Sequence, residues 1–573
     1  MKMVKNLLLG TAAGLVAVAG AEAADLPVKA KPVEYVKICS VYGEGFFYIP
    51  GTDTCIKFGG YVRQNFIWGQ ASGSFAPRAL GGSGGRDNPI DQNSWVMQST
   101  FVTSVDVRTQ TEYGTLRAFT RAGFRVESEN YDYGTYYVER AFMQLGGWTW
   151  GRTASFYDFL SGAFGYQQVF LGGGATSAGG RMLGAYTWSF GNGVTWTSSI
   201  EDPTTKRGWV WDAGDFANKL GGFNGAIPGP QGSTVNGYTT CGSTLFFGSN
   251  GTSAAFPGGV PTLVGCPIGD YAAQKLPDFV SQFRVEQTWG IAQIALGTHQ
   301  ISTGYYGNNV KTLDPTFTGI QPSDKWGFSV GGGIQINLPQ IAQGDKAYVE
   351  AHYGQGTPGY EGMSELDLAN STWLIIRDNR IAAGFIPDAV FFNAGGACPI
   401  GSGPNIAADA CAINPNNAPL FSGIRLTTVW TVAAAFEHYW TPAVRSAVYG
   451  VFTAVSFDNT AKLAFCDLIG GVDVFSTAQP NTGHKNDASS GIITPGCNPN
   501  FNVWGIGWRT IWNPVANLDI GLEVFRDEID QKFDPNLWHA NFGGGGGQPS
   551  GQYRPANLGV WGAMLRVQRN FYP

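Results

Sequence analysis

The sequence predicts an all-β fold, namely a transmembrane antiparallel β-barrel of about sixteen strands. Two observations lead to this prediction. Apolar and polar residues alternate along many segments, which is the pattern of strands with one apolar and one polar face. The connections between these segments alternate between very short turns and long glycine-rich loops, as expected for short periplasmic turns and long extracellular loops.

The composition agrees with an exported β protein. The 573 residues include 82 glycines, and 14% are aromatic, whereas only 14% are charged. No apolar run long enough for a membrane helix follows the N-terminal one, which argues against a helical membrane protein. The aromatic content argues against a disordered chain. A formal net charge of −6 argues against a nucleic-acid partner.

The N-terminus has the pattern of an export signal. Lys2 and Lys5 precede a short apolar stretch, and Ala21-Glu22-Ala23 is a small-x-small cleavage site. We therefore exclude the first residues from the fold. The expected organisation is a signal peptide over 1–23, an N-terminal periplasmic segment over 24–55, and a transmembrane β-barrel over 56–573.

The last predicted strand shows the alternation most clearly. In "VWGAMLRVQRNFYP" one phase is apolar and the other is mostly polar; Trp561 and Leu565 belong to the first, Arg566 and Gln568 to the second. Segments of this kind lie near 56–70, 95–111, 115–126, 136–146, 148–156, 181–190, 194–201, 277–289, 291–302, 326–338, 346–356, 423–440, 443–457, 501–515, 517–529 and 557–571. The longest connections are 202–275, 357–422 and 458–500.

The stretch "LRAFTRAGFR" carries an arginine at every fourth position: Arg117, Arg121 and Arg125. On a strand these three share one phase, while Leu116 and Phe124 lie on the other. An arginine facing lipid costs about 2–4 kcal/mol at the bilayer midplane. The three side chains are therefore expected to line the interior.

Two interpretations of this strip remain open. Together with Arg140, the strip can form the positively charged wall of a pore constriction, where a narrow aqueous slot concentrates the electric field and biases which ions pass. Alternatively, the arginines are general lumen lining, paired with carboxylates that offset their repulsion.

The sequence also resembles a known family. "VEYVKICSVYGEGFFYIPGTDTCIKFGGYVR", residues 33–63, is similar to the N-terminal signature of the general porins of α-proteobacteria, the Rhizobiales and Brucella Omp2 type. The resemblance continues through "YGTLRAFTRAGFR" and "ERAFMQLGGWTWGRTASFYDF". It implies a multi-pass outer-membrane barrel in contact with lipid and lipopolysaccharide, usually a homotrimer, that passes small hydrophilic solutes and ions without a cofactor.

The resemblance also implies a third outer loop folded into the lumen, with acidic residues facing a basic wall. That loop would be residues 157–180, "YDFLSGAFGYQQVFLGGGATSAGG", whose only acidic residue is Asp158. Other carboxylates would then have to supply the acidic half of the constriction. The candidates are Asp106, Glu127 and Glu139.

The chain has eight cysteines, a number consistent with disulfides in an oxidising compartment. Their order suggests four local pairs, each bracketing a stretch rich in Gly, Pro or Asn, although sequence alone leaves the connectivity open. No C-x-x-C pair occurs, and we expect no metal site. The suggested pairs are Cys39 with Cys55, Cys241 with Cys266, Cys398 with Cys411, and Cys466 with Cys497.

The leading functional hypothesis is a passive outer-membrane channel. The alternative is an adhesin or receptor barrel that acts through its long outer loops, 202–275 and 357–422. An enzyme is not expected, because the chain has only five histidines, and His438, beside Tyr439 and Trp440 at a strand end, is expected in an interfacial aromatic girdle instead of a catalytic site.

Overall fold

A computed structural model of the chain describes residues 38–69, 95–128, 135–159, 165–166, 180–205, 207–208, 210–212, 234–235, 238–239, 275–303, 323–363, 372–377, 379–391, 423–463, 498–536, 540–542 and 551–571. The predicted signal peptide, 1–23, lies outside these ranges. Within them, no helix has both the length and the apolar character needed to cross a membrane.

Sixteen long strands form one antiparallel sheet. In chain order they are β1 (Cys55–Gly69), β2 (Trp95–Thr111), β3 (Gly114–Glu127), β4 (Thr135–Leu145), β5 (Trp148–Thr153), β6 (Arg181–Gly191), β7 (Val194–Glu201), β8 (Asp278–Gln287), β9 (Gly290–Ile301), β10 (Lys325–Asn337), β11 (Lys346–Gln355), β12 (Thr428–Thr441), β13 (Val444–Ser456), β14 (Phe501–Trp512), β15 (Leu518–Gln531) and β16 (Leu558–Phe571).

The sheet closes on itself between its last and first strands. Val567 of β16 lies opposite Ile520 of β15 on one side and opposite Gln64 of β1 on the other. β1 also pairs with β2. Because each long strand has two neighbours, the barrel leaves no open edge. The prediction of a closed antiparallel barrel of sixteen strands is confirmed.

The two phases of each strand face opposite sides of the barrel wall. On β16, Trp561 and Leu565 are 50% and 41% exposed, whereas Met564 and Arg566 are 2% and 8% exposed. On β3, Phe124 is likewise exposed and lies on the outer surface. The apolar phase therefore faces outward and the more polar phase faces the interior, as the alternation predicts.

The short connections lie at one end of the barrel and the long ones at the other, here called the long-loop end. The turn between β6 and β7 shows why a short connection needs glycine. Gly191, Asn192 and Gly193 have φ angles of 83°, 51° and 73°, a region that glycine and asparagine tolerate. A Cβ at Gly193 would lie 1.8 Å from the Glu286 carbonyl oxygen.

Shorter elements accompany the barrel. The 3₁₀ helices are Ser40–Tyr42 and Pro203–Thr205, and the one α-helix in the described part is Asn459–Leu463. The short strands are Phe47–Tyr48, Val210–Asp212, Thr234–Val235, Tyr238–Thr239, Thr372–Arg377, Arg380–Phe385, Ala389–Phe391, Arg425–Leu426, Ala540–Phe542 and Gly551–Pro555.

The described residues up to Lys57 belong to a compact unit of their own. Phe47–Tyr48 pairs with Cys55 and Ile56, and a disulfide joins Cys39 to Cys55. Both sulfur-bearing residues are buried together with Phe46. The other six cysteines, for which three further pairs are predicted, lie outside the described residues.

Candidate functional site

The arginines of β3 lie on the interior phase, and the first is held by a carboxylate of β2. Arg117 donates from Nε and Nη2 to Asp106, at 3.0 and 2.9 Å. Arg108 donates to the same carboxylate at 3.0 and 2.8 Å. Paired parallel hydrogen bonds of this kind fix the guanidinium plane as well as its position. One carboxylate therefore orients two arginines.

A β-bulge in β4 brings two residues of opposite charge, Glu139 and Arg140, close to Arg121. The register between β3 and β4 shifts at this point, so that Arg121 lies opposite Arg140 whereas Ala122 lies opposite Val138. Glu139 is the extra residue, and its Oε2 lies 2.7 Å from Nε of Arg121. A bulge changes the direction of local side chains. Here it lets the neighbours Glu139 and Arg140 both approach one arginine.

Aromatic rings support the guanidinium groups further along the wall. Arg63 of β1 and Arg121 lie over the Tyr61 ring, at 4.3 and 5.4 Å from its centroid. Arg125 lies 5.5 Å from the centroid of Tyr137. A cation over an aromatic face is attracted by the ring quadrupole. These contacts hold the arginines in place, and because an aromatic ring has no net charge they do not change the charge of the guanidinium groups.

We call the arginines on the interior side of β1 to β4 the basic wall. Against them, two carboxylates with described side chains lie on these strands, Asp106 and Glu139; the side chain of Glu127 lies outside the described part. Arg121 is the more accessible member, with its side chain 39% exposed against 26% for Arg117. The wall therefore carries a positive excess that reaches water. Its arginines are Arg63, Arg108, Arg117, Arg121, Arg125 and Arg140.

The first residues of the 157–180 loop contact interior side chains of β9 to β11. Gln293 donates to the carbonyl oxygens of Tyr157 and Asp158, at 3.2 and 3.0 Å. The Tyr157 hydroxyl lies 2.5 Å from Oγ of Ser329 and 3.2 Å from Nδ1 of His352. Burial raises the pKa of the Tyr157 hydroxyl well above its usual range, so it stays protonated and able to donate.

A second point of this loop contacts the other side of the barrel. The Tyr166 amide donates to Oε1 of Glu523 on β15, at 2.7 Å. The Tyr166 ring lies 3.8 Å from the guanidinium of Arg566 on β16 and 5.1 Å from that of Arg509 on β14. Asp158, the loop's only acidic residue, is 8% exposed and exerts an electrostatic attraction on Arg140.

Some interior residues were not among the sequence-based candidates. Arg63 and Arg108 lie on the interior phase of β1 and β2, so the alternation that located Arg117 would also have located them. Tyr166 is a different case, because a loop residue has no periodic pattern, although the alternation had already assigned its partner Arg566 to the polar phase. Among the described residues, no group of three His, Cys, Asp or Glu side chains is arranged to hold a metal ion.

Comparison with known proteins identifies the family. Residues 25–543 match a family model described as porin subfamily. The chain is 33% identical to porin Omp2b of Brucella suis over 248 residues, which is 41% of this chain and 58% of that protein. It is 35% identical to porin Omp2b of Brucella abortus strain 2308 over 213 residues, 35% of this chain and 54% of that protein. The chain thus spans little more than half the length of these curated relatives.

Among solved structures, the chain is similar to the outer-membrane channel DcaP of Acinetobacter baumannii, with a TM-score of 0.46 and 11% identity over 91% of this chain and 99% of that one. It is also similar to an anion-selective porin from Comamonas acidovorans, with a TM-score of 0.38 and 8% identity over 90% of this chain and 100% of that one. Given its closed barrel and a family match that covers most of its length, the chain belongs to the porin subfamily and is a multi-pass protein of the outer membrane.

Proposed function

We propose that the chain forms a water-filled channel through which small hydrophilic solutes and ions diffuse passively. The observation that carries this proposal is a closed barrel whose interior phase bears the basic wall, with the Arg121 side chain 39% exposed. Such a wall would be costly in lipid and is stable in water. Diffusion down a concentration gradient needs no cofactor and no chemical step.

The narrowest part of the channel is proposed to lie between the basic wall and the third outer loop, residues 157–180, folded into the lumen. Two hydrogen bonds support this. Gln293 of β9 binds the start of the loop, and Glu523 of β15 binds the Tyr166 amide. Contacts of one loop with interior residues on two separated arcs of the barrel favour a path through the space between those arcs.

The net positive charge at the proposed narrowest part of the channel would favour the passage of anions. Asp106 and Glu139 lie among the arginines they neutralise, so they do not form an opposing acidic face as the family pattern would suggest. Interior carboxylates on other arcs, such as Glu350 of β11 and Glu523 of β15, are candidates for that role, and Asp158 contributes a single charge. A slot with a positive excess on one side concentrates the field and raises the local anion concentration.

Maturation and assembly belong to the same proposal. Cleavage after residue 23 would release the barrel and its N-terminal segment for insertion among outer-membrane lipid and lipopolysaccharide, and three copies would assemble into a homotrimer. N-terminal sequencing of the purified protein tests the cleavage point. Mass measurement of the folded protein in detergent tests the trimer.

Single-channel recording in planar lipid bilayers tests the proposed function directly. We expect stable open steps whose conductance rises in proportion to salt concentration, since diffusion through water does not saturate. A folded protein, identified by its heat-modifiable mobility in gels, that opens no pore would contradict the proposal. Saturable flux would instead indicate a channel with a solute-binding site.

A further inference from the structure

A second loop also contacts the barrel interior. It joins β11 to β12, and its residues 357–363, here called the inner segment, include Tyr360, which is 3% exposed. The Tyr360 hydroxyl donates to Oδ2 of Asp278 on β8 at 2.8 Å and accepts from Nη1 of Arg181 on β6 at 2.5 Å. The Arg181 guanidinium also lies 4.7 Å from the ring centroid of Tyr360.

These partners are themselves deeply buried on the interior phase. Arg181 is 1% exposed and Asp278 is fully buried. Glu201 of β7 lies 3.2 Å from Nη1 of Arg181 and completes the neutralisation of that guanidinium. Buried charges require paired partners, and here Tyr360 of the inner segment lies at the centre of the group. The inner segment therefore contacts the barrel interior through a defined hydrogen-bonded site, in which Tyr360 binds both Arg181 and Asp278.

The next residue of the inner segment binds two further strands. Glu361 is fully buried, accepts a hydrogen bond from Ser329 of β10 through Oε1, and accepts one from Thr431 of β12 at its backbone oxygen, at 2.8 Å. Gly354 of β11 lies beneath it. A Cβ at Gly354 would lie 2.2 Å from Oε1 of Glu361 and 2.3 Å from Oγ1 of Thr357. Any larger residue at this position would displace the Glu361 and Thr357 side chains, which hold the inner segment against the wall.

The same loop covers an apolar part of the interior on the opposite arc. At the long-loop end of β14 to β16 the interior phase is largely apolar, with Asp527 and Gln531 of β15 as polar exceptions, whereas a water-filled lumen would favour polar residues. The strand Arg380–Phe385, here called the cover strand, contacts β14 and β15. A Cβ at Gly384 would lie 2.4 Å from the Phe501 ring. The apolar residues, each at most 1% exposed, are Phe501, Val503, Phe525, Ile529 and Val560.

The inner segment also touches the third outer loop. Tyr157 and Tyr360 make an edge-to-face contact with ring centroids 4.8 Å apart. Ser329 joins the two loops as well, because its hydroxyl contacts both the Tyr157 hydroxyl and the Glu361 carboxyl group. The two loops therefore support each other on a shared part of the wall.

We propose that the inner segment and the cover strand of the β11–β12 loop form a second inward loop of this pore. These two described parts line the long-loop end of the barrel on β6 to β16, position the start of the third loop, and direct solutes along the basic wall. The polar contacts lie on β6, β8, β10 and β12, and the apolar ones on β14 to β16. The basic wall on β1 to β4 is the remaining arc. This inference rests on the proposed channel function.

Two variants test the loop and one serves as a matched control. Gly354→Ala adds a methyl group where the inner segment lies, and Tyr360→Phe keeps the ring but removes the hydrogen bonds to Arg181 and Asp278. Gly184→Ala makes the same change as the first variant at a position where the nearest atom is 3.7 Å away. We expect both test variants to gain conductance and to pass larger sugars in liposome swelling, while the control matches the wild type.

Amide hydrogen exchange of the folded wild type gives a second measurement that does not depend on conduction. We expect slow exchange in the inner segment and the cover strand, and faster exchange in the inner segment of Gly354→Ala. A wild type that opens no pore overturns the proposed function and the role of this loop with it. A conducting wild type with fast exchange in both segments, or folded Gly354→Ala and Tyr360→Phe variants that conduct as the wild type does, overturns only the second inward loop.

Discussion

At the scale of single residues, Arg121 is the best position for testing what the basic wall does. It pairs with Glu139 at 2.7 Å and stacks on Tyr61, yet its side chain remains 39% exposed. Such a charge contributes to the field in the lumen and is only partly neutralised by its partner.

We expect Arg121→Glu to shift the reversal potential in a salt gradient toward cation preference, because the local charge falls by two units. Arg121→Gln should give a smaller shift in the same direction. Arg569→Glu is the control, since this substitution makes the same change of charge at a position on the outward phase of β16. An unchanged reversal potential in Arg121→Glu would place the constriction elsewhere in the barrel.

Glu361 predicts a pH dependence of the inner segment. Burial raises the pKa of its carboxyl group well above the usual range, and nearby Asp388 raises it further, whereas hydrogen bonds from Ser329 and Thr357 act in the opposite direction. Tyr157 is the other titratable group that faces it. The neutral, protonated carboxyl is therefore the form that fits the wall.

Because the folded pKa of Glu361 lies above the unfolded one, this contribution to stability is complete below the unfolded pKa and is lost as pH rises through the folded pKa. We expect amide exchange of residues 357–363, corrected for the intrinsic rate, to accelerate as pH rises. Glu361→Gln, which keeps a neutral group of similar shape, should remove that acceleration. Equal pH profiles in the two proteins would contradict the assignment.

At the scale of elements, the β-bulge in β4 and the short turns decide how the strands present their side chains. The bulge at Glu139 lets an acidic and a basic neighbour both reach Arg121, which strict alternation would forbid. The turn at Gly193 sets the register between β6 and β7 in a backbone region that few residues tolerate.

We expect Gly193→Ala to destabilise the barrel, because a left-handed conformation costs an alanine roughly 1–2 kcal/mol and the added Cβ would lie 1.8 Å from the Glu286 carbonyl. The measurement is the urea concentration or temperature at which the folded band disappears from semi-native gels. Gly184→Ala, an extended position with room for a methyl group, should leave that midpoint unchanged. Equal midpoints for the two variants would show that the turn tolerates the change.

At the scale of the whole molecule, closure of the sheet separates a lipid-facing surface from an interior one. Leu565 is 41% exposed on the outward phase near the middle of β16, whereas Thr187 lies on the interior phase of β6, where its hydroxyl is 2.9 Å from that of Thr197. The two positions differ in which side of the wall they face.

We expect Leu565→Arg to destabilise the barrel in a bilayer, lowering its free energy of unfolding by about 2–4 kcal/mol, the cost of an arginine facing hydrocarbon. Thr187→Arg should cost much less, because water in the lumen solvates the added charge. Equilibrium folding into liposomes across a urea series measures both. Equal losses would mean that the two phases do not separate lipid from water.

The sequence by itself determined the strands, their two faces and the interior position of Arg117, Arg121 and Arg125. Side chains alternate between the two faces of a strand, and because one face contacts lipid and the other water, apolar and polar residues alternate along the sequence. It also brought Asp106 and Glu139 forward, as candidates for an acidic face opposite the basic wall; the structure places both among the arginines, in contact with Arg117 and Arg121.

Only the tertiary structure decided which partner each arginine has and where the loops lie. The contact between Glu139 and Arg121 depends on a register shift that the periodic pattern of the sequence does not predict. Tyr360 meets Arg181 from 179 residues away in the chain, and its loop has no alternation to reveal the contact. Such contacts exist because closing the barrel brings distant segments into one enclosed space, where each buried polar group must find a partner.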